Sequence, residues 1–257
     1  MRFASLGSGS KGNTTLIEAG GTRVLLDCGF GPRETGRRLA RLGLTPADLD
    51  AVVVTHEHGD HIGGVAALAH RHDLPVHLTF GTRKAVSEAR YSLDDVHCHE
   101  VRPERSFRIG DLEVLPVPVP HDARDPCQYL FRYADRWLGV LTDLGSLTPH
   151  VVRAFDECDA LVLECNHDRD LLAGGDDPPS LKRRVGGDLG HLNNHQAAAL
   201  LEQINQDRLQ HLVLSHLSER NNTPEHARTT IEAALATGPE RIRIAGQRAG
   251  FDWLELV

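Results

Sequence analysis

The sequence predicts an α/β fold, and three observations carry that expectation. Short apolar or alternating runs bounded by Gly, Pro and Asp recur along the 257 residues, helix-compatible segments separate them, and several runs end on a histidine or a carboxylate. A sheet needs a covering layer on each face, so this mixture points to two sheets packed face to face with helices outside. The pattern alone specifies α/β and nothing finer.

In the first half, Arg2 to Leu6, Thr15 to Glu18, Val24 to Asp27, Ala51 to Val54 and Pro75 to Leu78 read as strands. Pro32 to Leu42 reads as a helix, because Pro32 suits a first helical position and Gly43 a stop. Gly63 to His70 reads as another, carrying the helix-compatible Val65-Ala66-Ala67-Leu68. The second half repeats the alternation. Strands are expected at Leu112 to Val117, Gln128 to Tyr133, Trp137 to Thr142, Leu161 to Glu164, Leu212 to Leu214 and Arg241 to Ile244. Helices are expected near Pro149 to Phe155, Asn194 to Asn205 and Pro224 to Ala236. Asp168 to Asp188 is the least regular stretch, with Gly174-Gly175 and Pro178-Pro179 ahead of the basic Lys182-Arg183-Arg184, and reads as a long surface loop or lid. No linker, heptad or low-complexity tract interrupts the chain, so residues 1–257 are expected to form one large domain.

Hydrophobic residues make up 40% of the chain, enough for a substantial core. The formal net charge of -8 gives no global attraction for a polyanion, so any nucleic-acid contact must be local. Bound divalent cations would reverse the sign at one spot. The segment Met1 to Gly7 has no apolar signal core, and no apolar run approaches the span of a bilayer. Cys28, Cys98, Cys127, Cys158 and Cys165 form no C-x-x-C pair, which suits scattered thiols in a reducing compartment. A soluble, cytoplasmic protein with no membrane partner is expected. Cys28 and Cys165 follow carboxylates at strand ends, where a buried structural thiol is the ordinary reading.

The segment Thr55-His56-Glu57-His58-Gly59-Asp60-His61 follows the apolar run Ala51 to Val54 and places four metal-ligand side chains within six residues. On an extended or tightly turned backbone His56 and His58 project to one side, while Asp60 and His61 reach a second position nearby. One loop can therefore seed two metal sites. Further ligands must come from elsewhere, and His121, Asp143 and His216 each stand where a strand emerges into a loop. His56, His58 and His121 can hold a first ion, Asp60, His61 and His216 a second, with Asp143 bridging.

These residues resemble the metallo-β-lactamase fold superfamily, whose members share a T-H-x-H-x-D-H loop, a later His, a bridging Asp and a last His. The similarity spans nearly the whole chain. Gly7 to Asn13, Thr55 to Gly64, His121-Asp122-Ala123, Thr142 to Gly145, Leu163 to Asp168, Gly190 to Asn194 and Leu214 to Ser218 together look like the WalJ/YycJ branch, allied with ribonuclease Z and ribonuclease J. The resemblance implies an αββα sandwich of two mixed β-sheets with outer helices, and a dinuclear site at one edge of the sheets. It also implies that His191, in a glycine-histidine motif, is the general acid. Glu164 would orient that imidazole or a metal ligand. His167, Ser10 and Asn13 are the expected substrate contacts. The glycine-rich Gly7 to Asn13 lacks the G-x-x-x-x-G-K-[ST] spacing of a nucleotide-triphosphate site.

Two adjacent divalent ions suit phosphodiester hydrolysis. Ligation by histidine and carboxylate without Cys suits zinc, and also accommodates manganese or iron. The expected activity is 5'-to-3' exonuclease action on DNA, by resemblance. The alternative is a thioester or small-ester hydrolase of the glyoxalase II type, but that family appends a helical substrate domain and only residues 217–257 follow His216. A third reading is an interaction protein that keeps metals for stability. No insertion large enough for a ribonuclease J-type domain separates the core halves. A homodimer would lend basic surface from a neighbouring copy; one sequence does not decide it.

Overall fold

The computed structural model describes residues 1–88, 92–236 and 238–257. It contains two seven-stranded sheets. The first is built from β1 (Arg2–Gly7), β2 (Thr14–Ala19), β3 (Thr22–Leu26), β4 (Ala51–Val53), β5 (Val76–Thr79), β6 (Cys98–Val101) and the C-terminal β14 (Phe251–Glu255), in the order β14-β1-β2-β3-β4-β5-β6. The second is built from β7 (Phe107–Ile109), β8 (Leu112–Pro118), β9 (Cys127–Tyr133), β10 (Arg136–Leu141), β11 (Ala160–Glu164), β12 (His211–Ser215) and β13 (Ile242–Ile244), ordered β13-β12-β11-β10-β9-β8-β7. Both sheets are mixed. β3 to β6 run parallel in one and β10 to β13 in the other, while the remaining pairs are antiparallel.

Period-two alternation sorts the side chains into layers. Along β11, Ala160 and Val162 face the other sheet, in one apolar layer with Val24 and Val53 of that sheet and Tyr129 and Phe131 of their own. Leu161 and Leu163 point the opposite way, against Leu200 and Leu201 of α8 (Asn194–Leu201) and Ile231 of α9 (Pro224–Glu232), beside α5 (Pro149–Ala154). On the first sheet, Leu25 and Val52 face outward against Leu39 of α1 (Pro32–Arg41) and Val65 and Leu68 of α3 (Val65–His72). Strands buried on both faces read as continuous apolar runs, which is why Ala51 to Val54 and Leu161 to Glu164 stand out in the sequence. Three apolar layers make an αββα sandwich, as expected.

Helix ends fall short of two sequence expectations, since α8 stops at Leu201 and α9 at Glu232. Asp168 to Asp188 is not a structureless loop. It holds α6 (Arg169–Gly174), whose N-cap Asp168 accepts bonds from the Asp170 and Leu171 amides, and α7 (Pro179–Val185), opened by Pro179 at its first turn. Short helices of six and seven residues give too little periodicity to be read. The edge strands β6 and β7, the C-terminal β14, the single turn α2 (Gly59–Ile62) and α4 (Phe80–Ser87) were likewise not anticipated. Among the described residues, no helix is long and apolar enough to cross a membrane.

Candidate metal centre

The centre lies where the C-terminal ends of β3, β4, β10, β11 and β12 converge, the usual mouth of parallel strands. After β4 the chain bends at Thr55 and Glu57 and is extended at His58, and α2 then brings Asp60 and His61 beside the first two histidines. Asp27 pins this loop, accepting bonds from the Thr55 amide and hydroxyl at 2.8 Å each. The Tyr129 hydroxyl donates to the Val54 carbonyl at 3.0 Å and ties the loop to the second sheet. Gly29 passes so close that a Cβ there would lie 1.9 Å from the Asp60 carbonyl oxygen. Three site residues, Asp27, Asp143 and His216, adopt left-handed backbone (φ 60°, 52° and 52°) just past their strands. Such conformations cost energy and are held by their surroundings. At His216 the amide donates to the Ser8 hydroxyl at 2.8 Å, which is what the glycine-rich turn contributes here.

Among the described residues, four sets of side chains present ligand atoms within 4.8 Å of one another: His56, His58 and His121; Asp60, His61 and His216; His56, His61 and Asp143; and Asp143, Glu164, His191 and His216. The first two are the triads expected from sequence, and Asp143 touches both neighbourhoods. The imidazoles are oriented from behind. His61 Nδ1 lies 2.7 Å from Asp27, His121 Nδ1 is 3.0 Å from the Gly190 carbonyl, and His216 Nδ1 is 3.0 Å from Glu164. Since a carbonyl or carboxylate only accepts, each Nδ1 carries the proton and each Nε2 is aimed inward.

These residues fit a divalent cation. His56 Nε2, His216 Nε2 and Asp143 Oδ2 are buried without a hydrogen-bond partner. His61 Nε2 stands 2.7 Å from Asp143 Oδ2, yet the pair lacks hydrogen-bond alignment. Each unpaired buried polar atom costs about 1–3 kcal/mol, and a cation held in each triad, with Asp143 beside both, would relieve them. Imidazole with carboxylate, and no thiolate, is a borderline-to-hard donor set.

Protonation follows the same layout. Burial keeps His56 far below the usual imidazole range, the neutral form a ligand needs. Burial resists ionisation of Glu164, but the facing His191 and His216 outweigh it and bring the carboxyl to about 2. At Asp143 burial is likewise overcome, by His216, His61 and His191. Burial favours neutral His191, whereas Glu164 and Asp143 raise it to about 9. His61 and His216 are pushed up by the surrounding carboxylates against their burial. Protons and metal thus compete for one set of lone pairs.

A cleft of about 440 Å³ opens onto the centre, lined by Ser10, His58, Asp60, Arg184, His191 and Arg220 among others. His191 Nδ1 is held 2.7 Å from Glu164, and the ring reaches the cleft. Of the expected substrate contacts, Ser10 lines the cleft. The Asn13 side-chain amide instead donates to Asp60 at 3.1 Å, steadying that ligand, and lies 3.0 Å from His61 Nε2, the nitrogen a metal would take. His167 is buried outside the cleft lining, with its Nδ1 unpaired. Sequence reading missed the orienting role of Asp27, whose signal was a carboxylate closing an apolar strand. It also missed Arg220 and the way Arg184 reaches Asp122. Cys28 and Cys165 are buried, and Cys28 contacts Phe30 and Thr35, so burial raises both thiols.

Residues 22–217 match the model of the beta-lactamase superfamily domain. The chain belongs to that superfamily. This superfamily member is 32% identical to the exodeoxyribonuclease WalJ of Streptococcus pneumoniae serotype 2, over 92% of this chain and 88% of that protein. It is 34% identical to the exodeoxyribonuclease YycJ of Bacillus anthracis, over 91% and 89%. Among solved structures it aligns with the metallo-beta-lactamase fold protein YhfI of Bacillus subtilis at a TM-score of 0.74, 19% identity and 99% coverage of both chains. That likeness shows the fold: the chain has the metallo-β-lactamase architecture, with its His/Asp cluster at the strand mouth.

Proposed function

We propose that the protein is a dinuclear-metal-dependent hydrolase of phosphodiester bonds, acting on DNA as a 5'-to-3' exonuclease. The observation that carries this reading is the pair of His/Asp triads meeting at Asp143 in one cleft. Kinship with two exodeoxyribonucleases over nine tenths of the chain supports DNA as the substrate. In this reading His56, His58 and His121 hold one ion, Asp60, His61 and His216 hold the other, and Asp143 serves both. Zinc suits this donor set best, with manganese or iron compatible. When bound, two such ions supply a nucleophile at neutral pH and neutralise charge developing on phosphoryl oxygens.

The protein's own groups do the rest. Asp27 and Glu164 fix the tautomers of His61 and His216. Glu164 also binds Nδ1 of His191, leaving its Nε2 to donate a proton to the leaving alkoxide. Arg184 and Arg220 on the cleft wall meet phosphate charge, and Ser10 offers a hydroxyl beside them. The cleft has the size of a small-molecule pocket, roughly 300–1,000 Å³, which suits one strand end. DNA as substrate and five free cysteines accord with a cytoplasmic location.

The test is cleavage of 5'-labelled and 3'-labelled double-stranded DNA with zinc or manganese, using His58→Ala as the control. Release of nucleotides from the 5' end, lost in the variant, supports the reading and its polarity. Absence of cleavage with either metal, together with hydrolysis of a thioester, would move the protein to the glyoxalase II type of chemistry.

A further inference from the structure

The chain is acidic overall, with a net charge of -8, yet one edge of the molecule is basic and aromatic. There β6 and β7, the last strands of their sheets, border a cavity of about 520 Å³ lined by Arg102, Arg105, Arg108, His99 and Phe107. All three arginines are exposed, and among the described residues none of them forms an ion pair. Glu100 is the one carboxylate on the wall, and the nearby Glu104 carboxylate lies 3.7 Å from His150. Beside the arginines runs a file of rings. His97 stands 4.4 Å from His99, His99 4.7 Å from His77, and His77 5.1 Å from Phe107, centroid to centroid, the last two pairs lying within 16° of parallel. His97 and His99 are exposed at the outer end of the file. No residue of this edge belongs to the metal centre.

We propose that this edge is a second, non-catalytic nucleic-acid site that takes single-stranded DNA. Exposed arginines release counterions from phosphates, and the open end of a ring stack accepts a base face, the combination that single-strand binders use. The choice of DNA over another polyanion rests on the exonuclease reading above; the charge and ring geometry do not.

The experiment is fluorescence anisotropy of a labelled oligo-dT of about 20 nucleotides, in excess chelator, with the full chain and an Arg102→Gln/Arg105→Gln/Arg108→Gln variant. The variant should bind at least about tenfold more weakly, and its salt slope should fall by about 2, near 0.7 per lost phosphate contact. His99→Ala, a single exposed change, should weaken binding several-fold with the slope unchanged, because stacking involves no counterions. Turnover of bis(p-nitrophenyl) phosphate by the metal-loaded protein should be the same in all three. Equal affinities and equal slopes would overturn the site, and an acidic peptide competing as well as oligo-dT would overturn the choice of ligand. Oligo-dT binding by the parent that is weakened in the variants, with no DNA cleavage by the parent, would retain this site while rejecting the exonuclease reading.

Discussion

At Asp143 a single buried carboxylate lies 2.7 Å from His61, 3.1 Å from His216 and 3.2 Å from His191. Its replacement removes the acid that, among the described residues, stands beside both triads. Asp143→Ala is expected to abolish hydrolysis and lower bound metal, measured by elemental analysis of purified protein. Wild-type turnover with both metals retained would refute its bridging role. Asp27 acts one step further back, by fixing the His61 tautomer. Asp27→Asn should weaken metal binding about 10–100-fold, the usual effect of removing such a partner, and a chelator-competition titration reads it directly. Glu164 gathers four hydrogen bonds, from His191, His216, Leu144 and Leu192. It was legible in the sequence as an acid ending an apolar strand, but its partners lie 20 to 52 positions away and only folding brings them in.

Among the elements, the loop between β3 and α1 is packed against the metal-binding loop with no room for a side chain at Gly29. Gly29→Ala forces its Cβ against the Asp60 carbonyl and should destabilise the protein by about 1–3 kcal/mol, as overpacking does, measured by urea denaturation. A variant as stable as the parent would mean that the loop yields freely. The β5–β6 pair carries a pH signature. Burial, and then the facing His99 and His97, bring His77 down to about 4 from the ordinary 6.5. The unfolded chain therefore binds the proton more readily between those values. His77 contributes in full above pH 6.5, and that stability is lost as pH falls toward 4. Replacing His77 with Gln should flatten the pH dependence of the denaturation midpoint across that window; an unchanged profile would show that other groups dominate it. Short edge elements such as β6 escaped sequence reading because Cys98-His99-Glu100 is mostly solvent-facing and has no apolar period to detect.

For the molecule as a whole, the two sheets are joined by a shared apolar layer and by the Tyr129 bond to the Val54 carbonyl, so core and metal centre support one another. Binding to the native state alone stabilises it by mass action, about 2.7 kcal/mol at a ligand concentration a hundred times Kd. Chelation should therefore lower the thermal midpoint, and zinc should restore it. In Asp143→Ala the restoration should shrink. A midpoint indifferent to metal in the intact chain would mean that the ions add nothing to the fold.

The α/β alternation, the continuous apolar strands and the cluster of four ligand side chains within one loop are written in the amino-acid order. These are local properties, because period, turn residues and ligand spacing act over a few positions. The same order also marked His121, Asp143, Glu164, His191 and His216 as polar groups at strand ends or in short motifs. Long-range packing settled which of them face one another, which ring nitrogen each histidine presents, and that Asn13 steadies Asp60 while His167 lies outside the cleft. It likewise decided that Asp27, Asp143 and His216 turn through left-handed backbone to reach the centre. Those outcomes depend on the register of two sheets and on contacts between residues far apart in the chain, a geometry that no local stretch encodes.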